Sequence, residues 1–495
     1  MSFKISDKIT LAFCLYLGFS VNTFTQTKVF DKIIASDGSG DYPSIAYAIS
    51  LYSNSRKVFF IKNGIYKEKV LISSQKTNIR LIGESVDGVI ITYDDYAGKS
   101  ASSSSTAESY TFRVEGNGFY AENITFQNTA TLAQAVAVYS KADTIVFKNC
   151  RFLGYQDTHY ADNGRQYFLN CETRGDVDFI FGNAAAFYEN SSIISRNRKG
   201  GYVTAPSETV LTSPKPGGGT YYHGILFKNC TLSAESGLAN NSCTLGRPWG
   251  PYASSVFYRC KIGTHIKPEG WSVWSTDPLN EGYNNHTTAF FAEYNSLDLD
   301  GGIKDISQRV SWSKQLGSED TALYTLDTYF LGWDPTLKAK SLVVPQNLII
   351  RNDSLVWDEI IGARGYVIIR NDSAFGFSVT PHFYIGDNYT DTFKVKSVNP
   401  FGALSLSSNS ALITGSKALL IKEVKNYPVY FSGLNLITPE NISVEIYDIA
   451  GSLIRSVSHQ SIINLSDTKD GIYIIKIQID KKGTQIVRKI IKKSL

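Results

Sequence analysis

Two aspartates occupy matched places in a repeating sequence: Asp157 lies ten residues after Phe147, and Asp178 lies ten residues after Phe168. If the two segments are consecutive turns of one coil, their carboxyl groups stack about one interstrand step apart, ~5 Å at the backbone. Two acids that close cannot both ionise freely, and their surroundings push their pKa values apart. One then stays anionic while the other keeps its proton, which is the division of labour a nucleophile and a general acid need. A single aspartate in a turn is more often an Asx or capping residue. The equal offset is what lifts this pair above that plainer reading.

The coil is read from a β-rich phrase that recurs as ITFQNT (124–129), IVFKNC (145–150), QYFLNC (166–171), AAFYEN (185–190), ILFKNC (225–230) and SVFYRC (255–260). Aligned on the aromatic, it predicts an inward ladder of Phe126, Phe147, Phe168, Phe187, Phe227 and Phe257, with first gaps of 21, 21 and 19 residues. Three residues later comes a ladder of Thr129, Cys150, Cys171, Asn190, Cys230 and Cys260. A period near 21 with short strands and polar punctuation suits the turn of a parallel β-helix. No L-x-x-L-x-L consensus supports a leucine-rich repeat instead. The cysteines read as buried thiols filling the ladder, with a Cys150–Cys171 disulfide as the alternative. Five cysteines (Cys243 is the fifth) beyond the first 25 residues, with no C-x-x-C, argue against a zinc site and a dense disulfide framework.

Other elements fit around this coil. Asp41-Tyr42-Pro43 opens a predicted helix whose apolar positions Ile45, Ala48, Ile49 and Tyr52 could cap the end of the solenoid. Ala101–Ser105 and Pro214–Gly219 read as exposed loops of the kind that wall a groove. At 495 residues the chain is too long for one ordinary core, and its 13% aromatic and 19% charged content is that of a β-rich, packed protein. From Lys417 onward basic residues exceed acidic ones by 5, so the rest of the chain carries −1 of the +4 net charge. The main domain therefore has no electrostatic support for a nucleic-acid partner. Lys4 and Lys8 precede an apolar run from Ile9 to Val21, which reads as a signal peptide over 1–25. No later stretch is long and apolar enough for a membrane helix.

The segments GIYKEKV (64–70), QAVAVYS (134–140), GYQDTHY (154–160), GDVDFIFGNA (175–184) and LGRPWGPY (245–252) resemble, in order, the signature segments of pectin methylesterases. GWSVW (270–274) and AEYNS (292–296) resemble later segments of that family. The resemblance spans about residues 30–338 and implies an all-β fold: a right-handed parallel β-helix of the pectin-lyase-like kind, over 28–338. It implies hydrolysis of galacturonate methyl esters, with Asp178 as nucleophile and Asp157 as general acid and base. Gln134 and Gln156 would donate to the oxyanion, Arg247 would hold Asp178, and Thr111, Gln134, Arg247 and Trp249 would contact substrate. No cofactor and no metal is implied. Plainer readings stand beside these: the glutamines as ladder amides, Arg247 in a structural ion pair, Trp249 as core, Thr111 as packing.

His159 stands where the family usually has Leu, and Tyr139-Ser140 where it more often has Leu and Arg. His159, two residues from Asp157, could tune that acid, contact substrate, or merely line the groove. Residues 341–416 resemble a fibronectin type III module with an early Trp357, a Tyr366 and a PFG turn at 400–402. Residues 420–495 resemble a type IX secretion sorting domain, so two small β-sandwich modules are expected after the solenoid. The implied partners are methyl-esterified homogalacturonan and the secretion machinery, and the implied place is outside a bacterium or on its surface, reached through the periplasm. Rival β-helical activities fit less well. A lyase needs an acidic calcium cluster, an inverting glycosidase needs carboxylates far enough apart to admit water, and a serine esterase needs a G-x-S-x-G elbow. A non-catalytic carbohydrate-binding solenoid is the remaining alternative.

Overall fold

The computed structural model describes residues 28–412, apart from 53–55, 199, 210, 215–219, 352 and 386–390. Beyond 412 it describes 430–432, 435–437, 443–448, 452–458, 462–464, 471–478 and 485–492. The predicted signal peptide, most of the Pro214–Gly219 loop and the 413–429 segment lie outside the described residues.

The chain winds into a right-handed parallel β-helix with three sheets of eleven, eight and seven strands. One turn illustrates the rest: Ile145–Lys148 lies in the first sheet, Arg151–Leu153 in the second and His159–Asn163 in the third, before Arg165–Leu169 returns to the first. The corner between the first two sheets needs a sharp bend, and asparagine supplies it. Asn123, Asn149, Asn170, Asn190, Asn229 and Asn295 all have φ between 47 and 58°, with Arg259 (φ 53°) taking the same place. Asparagine tolerates this left-handed region better than other residues with a side chain. The recurring N-C dipeptide is thus a corner: Asn turns the chain and the following Cys points into the core. All five described cysteines are buried free thiols.

Two rungs of the predicted ladders are corrected. Phe147 stacks on Phe168 at 5.5 Å, but the next inward ring is Tyr188, at 4.3 Å, followed by Phe227 and Phe257. Phe187 points outward, because the turn from Phe168 to Tyr188 is one residue longer than the spacing on Phe187 implied. A one-residue slip sends a strand residue to the other face. Phe126 belongs to the second sheet, paired with Phe152, and the counterpart of Phe147 is Ala121. The small-residue ladder accordingly runs through Ile124 and Ser191, not Thr129 and Asn190.

The predicted helix spans Ile45–Ser50 and buries Ile45, Ala48 and Ile49 over the open end of the coil. Ser44 caps it, and Glu68 accepts hydrogen bonds from Ile45 N and Ala46 N at 2.8 and 3.0 Å. The GIYKEKV segment therefore serves to hold the cap. Residues 349–412 form an antiparallel sandwich. A three-stranded sheet (349–351, 354–356, 382–384) faces a four-stranded one (365–370, 373–378, 392–398, 411–412) around Leu355, Trp357, Tyr366, Ile368 and Val395. The described strands after 429 make two further antiparallel sheets of three and four strands.

Candidate active site

Asp157 and Asp178 sit at the corners leading into the third sheet, both in the left-handed region, with φ of 64 and 48°. Parallel pairing of His159 with Ile180 puts each aspartate two residues before a paired position, so Asp157 lies one rung from Asp178. Asp157 N donates to Val177 O at 3.0 Å, locking that rung. Both side chains are buried.

One more strand on, Ile180 pairs with Thr204, and Thr204 pairs with Gly246, which carries Arg247 at its end. The guanidinium reaches back to Asp178 as a two-pronged fork, Nε to Oδ1 at 2.9 Å and Nη2 to Oδ2 at 2.6 Å. It is clamped between the rings of Tyr202, 3.9 Å from its carbon, and Trp274, 4.3 Å away. Such stacking fixes a planar cation while leaving its edge free to donate. Burial pushes the Asp178 carboxyl above its ordinary range, and Arg247 opposes that shift. Among the described residues, no arginine makes a hydrogen bond or ion pair with Asp157. Burial, then the charge of Asp178, push it well above the ordinary range, with Asp176 adding to the rise and the more distant Arg247 only partly offsetting it. The pair is electrically asymmetric: burial raises both carboxyls, but an arginine fork favours the anion at Asp178, while the charge of Asp178 disfavours it at Asp157.

Gln134 lies in an enlarged corner of its turn. Eleven positions separate Gln127 from Val138, where six separate the paired Leu153 from His159. The extra residues enlarge this corner, and Gln134 is among them. Ala135 N donates to Gln156 O at 3.1 Å, which brings the two glutamines onto adjacent rungs beside the acids. Thr106 Oγ1 donates to Gln134 Oε1 at 3.0 Å, so the Gln134 amide nitrogen is the end left to donate outward. The Gln156 amide makes no hydrogen bond among the described residues.

Trp249 is 38% exposed and meets Tyr160 and Phe181 edge-on at 6.3 and 6.0 Å. Tyr139, Tyr160 and Phe181 stack in a row on the outside of the third sheet, at 4.7 and 4.3 Å.

Thr111 is buried and donates to Gln127 O at 2.9 Å. His159 points into the coil rather than the groove, because side chains alternate along the strand and its neighbour Tyr160 takes the outer face. Its ring stacks on Phe152 at 5.0 Å, with Ser140 Oγ 3.1 Å from Nε2 and Tyr188 Oη 2.5 Å from Nδ1. The departures at Ser140 and His159 are therefore one interior polar pair. Burial pushes the imidazole down to about 3, so it stays neutral.

Sequence reasoning missed Thr106, Asp176, Tyr202 and Trp274. Trp274 and Asp176 lie inside quoted segments and could have been found there. Tyr202 and Thr106 lie in strands and turns without a repeated phrase, and no signal marked them.

The family model described as Pectinesterase matches residues 31–332, and that described as Secretion system C-terminal sorting domain matches 429–493. A "Probable pectinesterase/pectinesterase inhibitor" of Brassica napus is 37% identical over 297 residues, covering 58% of this chain and 48% of that protein. "Pectinesterase 4" of Arabidopsis thaliana is 34% identical over 294 residues, covering 57% and 47%. The chain thus spans about half the length of these relatives. Among solved structures, a pectin methylesterase from carrot superposes with a TM-score of 0.54 at 33% identity, covering 61% of this chain and 93% of that one. The pectin methylesterase PemA from Erwinia chrysanthemi gives 0.52 at 26% identity, covering 62% and 98%.

Proposed function

The chain belongs to the pectinesterase family, and from that membership we propose that it hydrolyses methyl esters of galacturonate units in pectin, giving pectate and methanol. The observation that carries this reading is the asymmetric pair: two buried aspartates on adjacent rungs, only one of them gripped by an arginine fork.

In the proposed reaction the Asp178 carboxylate attacks the ester carbonyl carbon. The oxygen of the resulting tetrahedral intermediate takes hydrogen bonds from Gln134 and Gln156. Collapse breaks the bond to the methoxy oxygen, which leaves as methanol with the proton of Asp157, and Asp178 is left as a mixed anhydride. Asp157, now a carboxylate, removes a proton from water. The hydroxide attacks the acyl carbon and releases galacturonic acid, which ionises, and Asp178 returns to its carboxylate. Arg247 keeps Asp178 ionised and aimed, and the half-exposed Trp249 offers a ring face to a sugar.

The sorting domain marks a secreted or cell-surface bacterial protein. We read the chain as a signal peptide (1–25), an esterase coil (28–338), a fibronectin type III-like module (341–416) and a sorting module (420–495) that engages the secretion machinery after passage through the periplasm. The three-plus-four strand sandwich around Trp357 and Tyr366 supports the third of these. Highly methylated homogalacturonan is the substrate to offer the full chain. Methanol release with no ultraviolet-absorbing unsaturated ends is the expected result, and unsaturated ends without methanol would replace this reading with a lyase.

A further inference from the structure

The central strand Gly365–Arg370 of the four-stranded sheet in the 349–412 sandwich is buried on both faces. Along it, Tyr366 and Ile368 enter the sandwich core, while Val367 and Ile369 join a second cluster with Val58, Phe60, Ile82 and Tyr120 of the coil. Strand alternation makes that double burial possible, and the outer apolar face would stand open in a freely tethered module.

Charge follows the same seam. Arg80, only 2% exposed, donates to Phe401 O at 3.1 Å and lies under the Phe401 ring at 4.7 Å. Glu122 accepts from Leu404 N at 3.1 Å and from Tyr120 Oη at 2.8 Å, and pairs with Lys148 at 3.1 Å. Glu84 accepts from Ala374 N. Buried charges are tolerated where they find partners, and here the module's own backbone is a large part of the partnership. Gly402, with φ of +100°, presses so closely that a Cβ would lie 2.8 Å from Val58 Cγ1.

We infer that residues 341–412 are a brace built onto the outer face of the eleven-stranded sheet, and that coil and sandwich unfold as one cooperative unit. The module is neither a spacer nor a freely tethered binding domain. This inference stands apart from the proposed reaction, since none of these residues touches the aspartate pair.

The test uses the full chain and hydrogen exchange read by peptide. Trp357→Ala damages the sandwich core on the side away from the coil. Exchange at 79–82 and 119–122 of the coil should then rise about tenfold or more together with that of 365–370. Gly402→Val removes no side chain from either core; it strains its own turn and wedges the seam against Val58 and Ile82. It should raise exchange at 79–82 and 401–405 and split one thermal transition into two. Coil peptides that keep wild-type protection when Trp357→Ala unfolds the sandwich would overturn the inference. So would a Gly402→Val chain that melts and exchanges as the wild type does.

Discussion

At the scale of single residues, the chemistry depends on the unequal treatment of two like groups. Both aspartates are raised by burial, and Arg247 opposes the rise in Asp178. Arg247→Gln removes that opposition, so the Asp178 carboxyl should climb further above its ordinary range. Because the proposed reaction needs Asp178 ionised, the acid limb of the kcat/KM profile should move to higher pH in this variant. A profile that keeps its acid limb while losing only amplitude would show that Arg247 orients without tuning. Gln156→Ala should lower kcat about 100- to 1,000-fold with KM little changed, since the donor acts on charge that appears only in the transition state. Thr106→Val should lower kcat by part of the loss that Gln134→Ala would bring, by freeing the Gln134 amide to rotate, and Thr106→Ser should restore it, both read from kcat on methylated pectin.

At the scale of elements, corners matter as much as strands. The αL asparagines bend the chain between the first two sheets, and Asn170 (φ 53°) is representative. Asn170→Ala should cost about 1 kcal/mol and Asn170→Gly less, measured by denaturant unfolding. These corners also explain what could be read from the sequence. The N-C phrase and the period near 21 were visible because each turn repeats the same bend. The turn between Phe147 and Phe168 has no insertion, so the placement of Asp157 and Asp178 followed directly. Phe126 and Phe187 were misplaced because neighbouring turns differ in length, and an aromatic can stand on either face of a strand. The direction of His159 depends on strand alternation in the same way, and a motif match does not report it. The clamp on Arg247 unites residues 202, 247 and 274 across different turns, and no local pattern encodes such a meeting.

At the scale of the whole molecule, three buried histidines make stability depend on pH. Burial lowers His159 to about 3 and His223 and His265 to about 4. A folded-state value below the unfolded one, near 6.5, means that the unfolded chain binds more protons in between. Their stabilisation is therefore complete above about pH 6.5 and is lost as the pH falls toward the folded values. His159 alone should contribute a loss of about 2 kcal/mol at pH 5. The difference in Tm between pH 7 and pH 5 should shrink in His159→Gln, and an unchanged difference would place the acid sensitivity elsewhere.

The central proposition, that Asp178 is the attacking group, is tested most directly by methanol release from highly methylated pectin with the full-length Asp178→Asn variant, its β-structure verified by circular dichroism. A loss of at least about 10⁴-fold with the fold retained is the expected result. Release within about tenfold of the wild type would contradict it, because the nucleophile would then have to be another group.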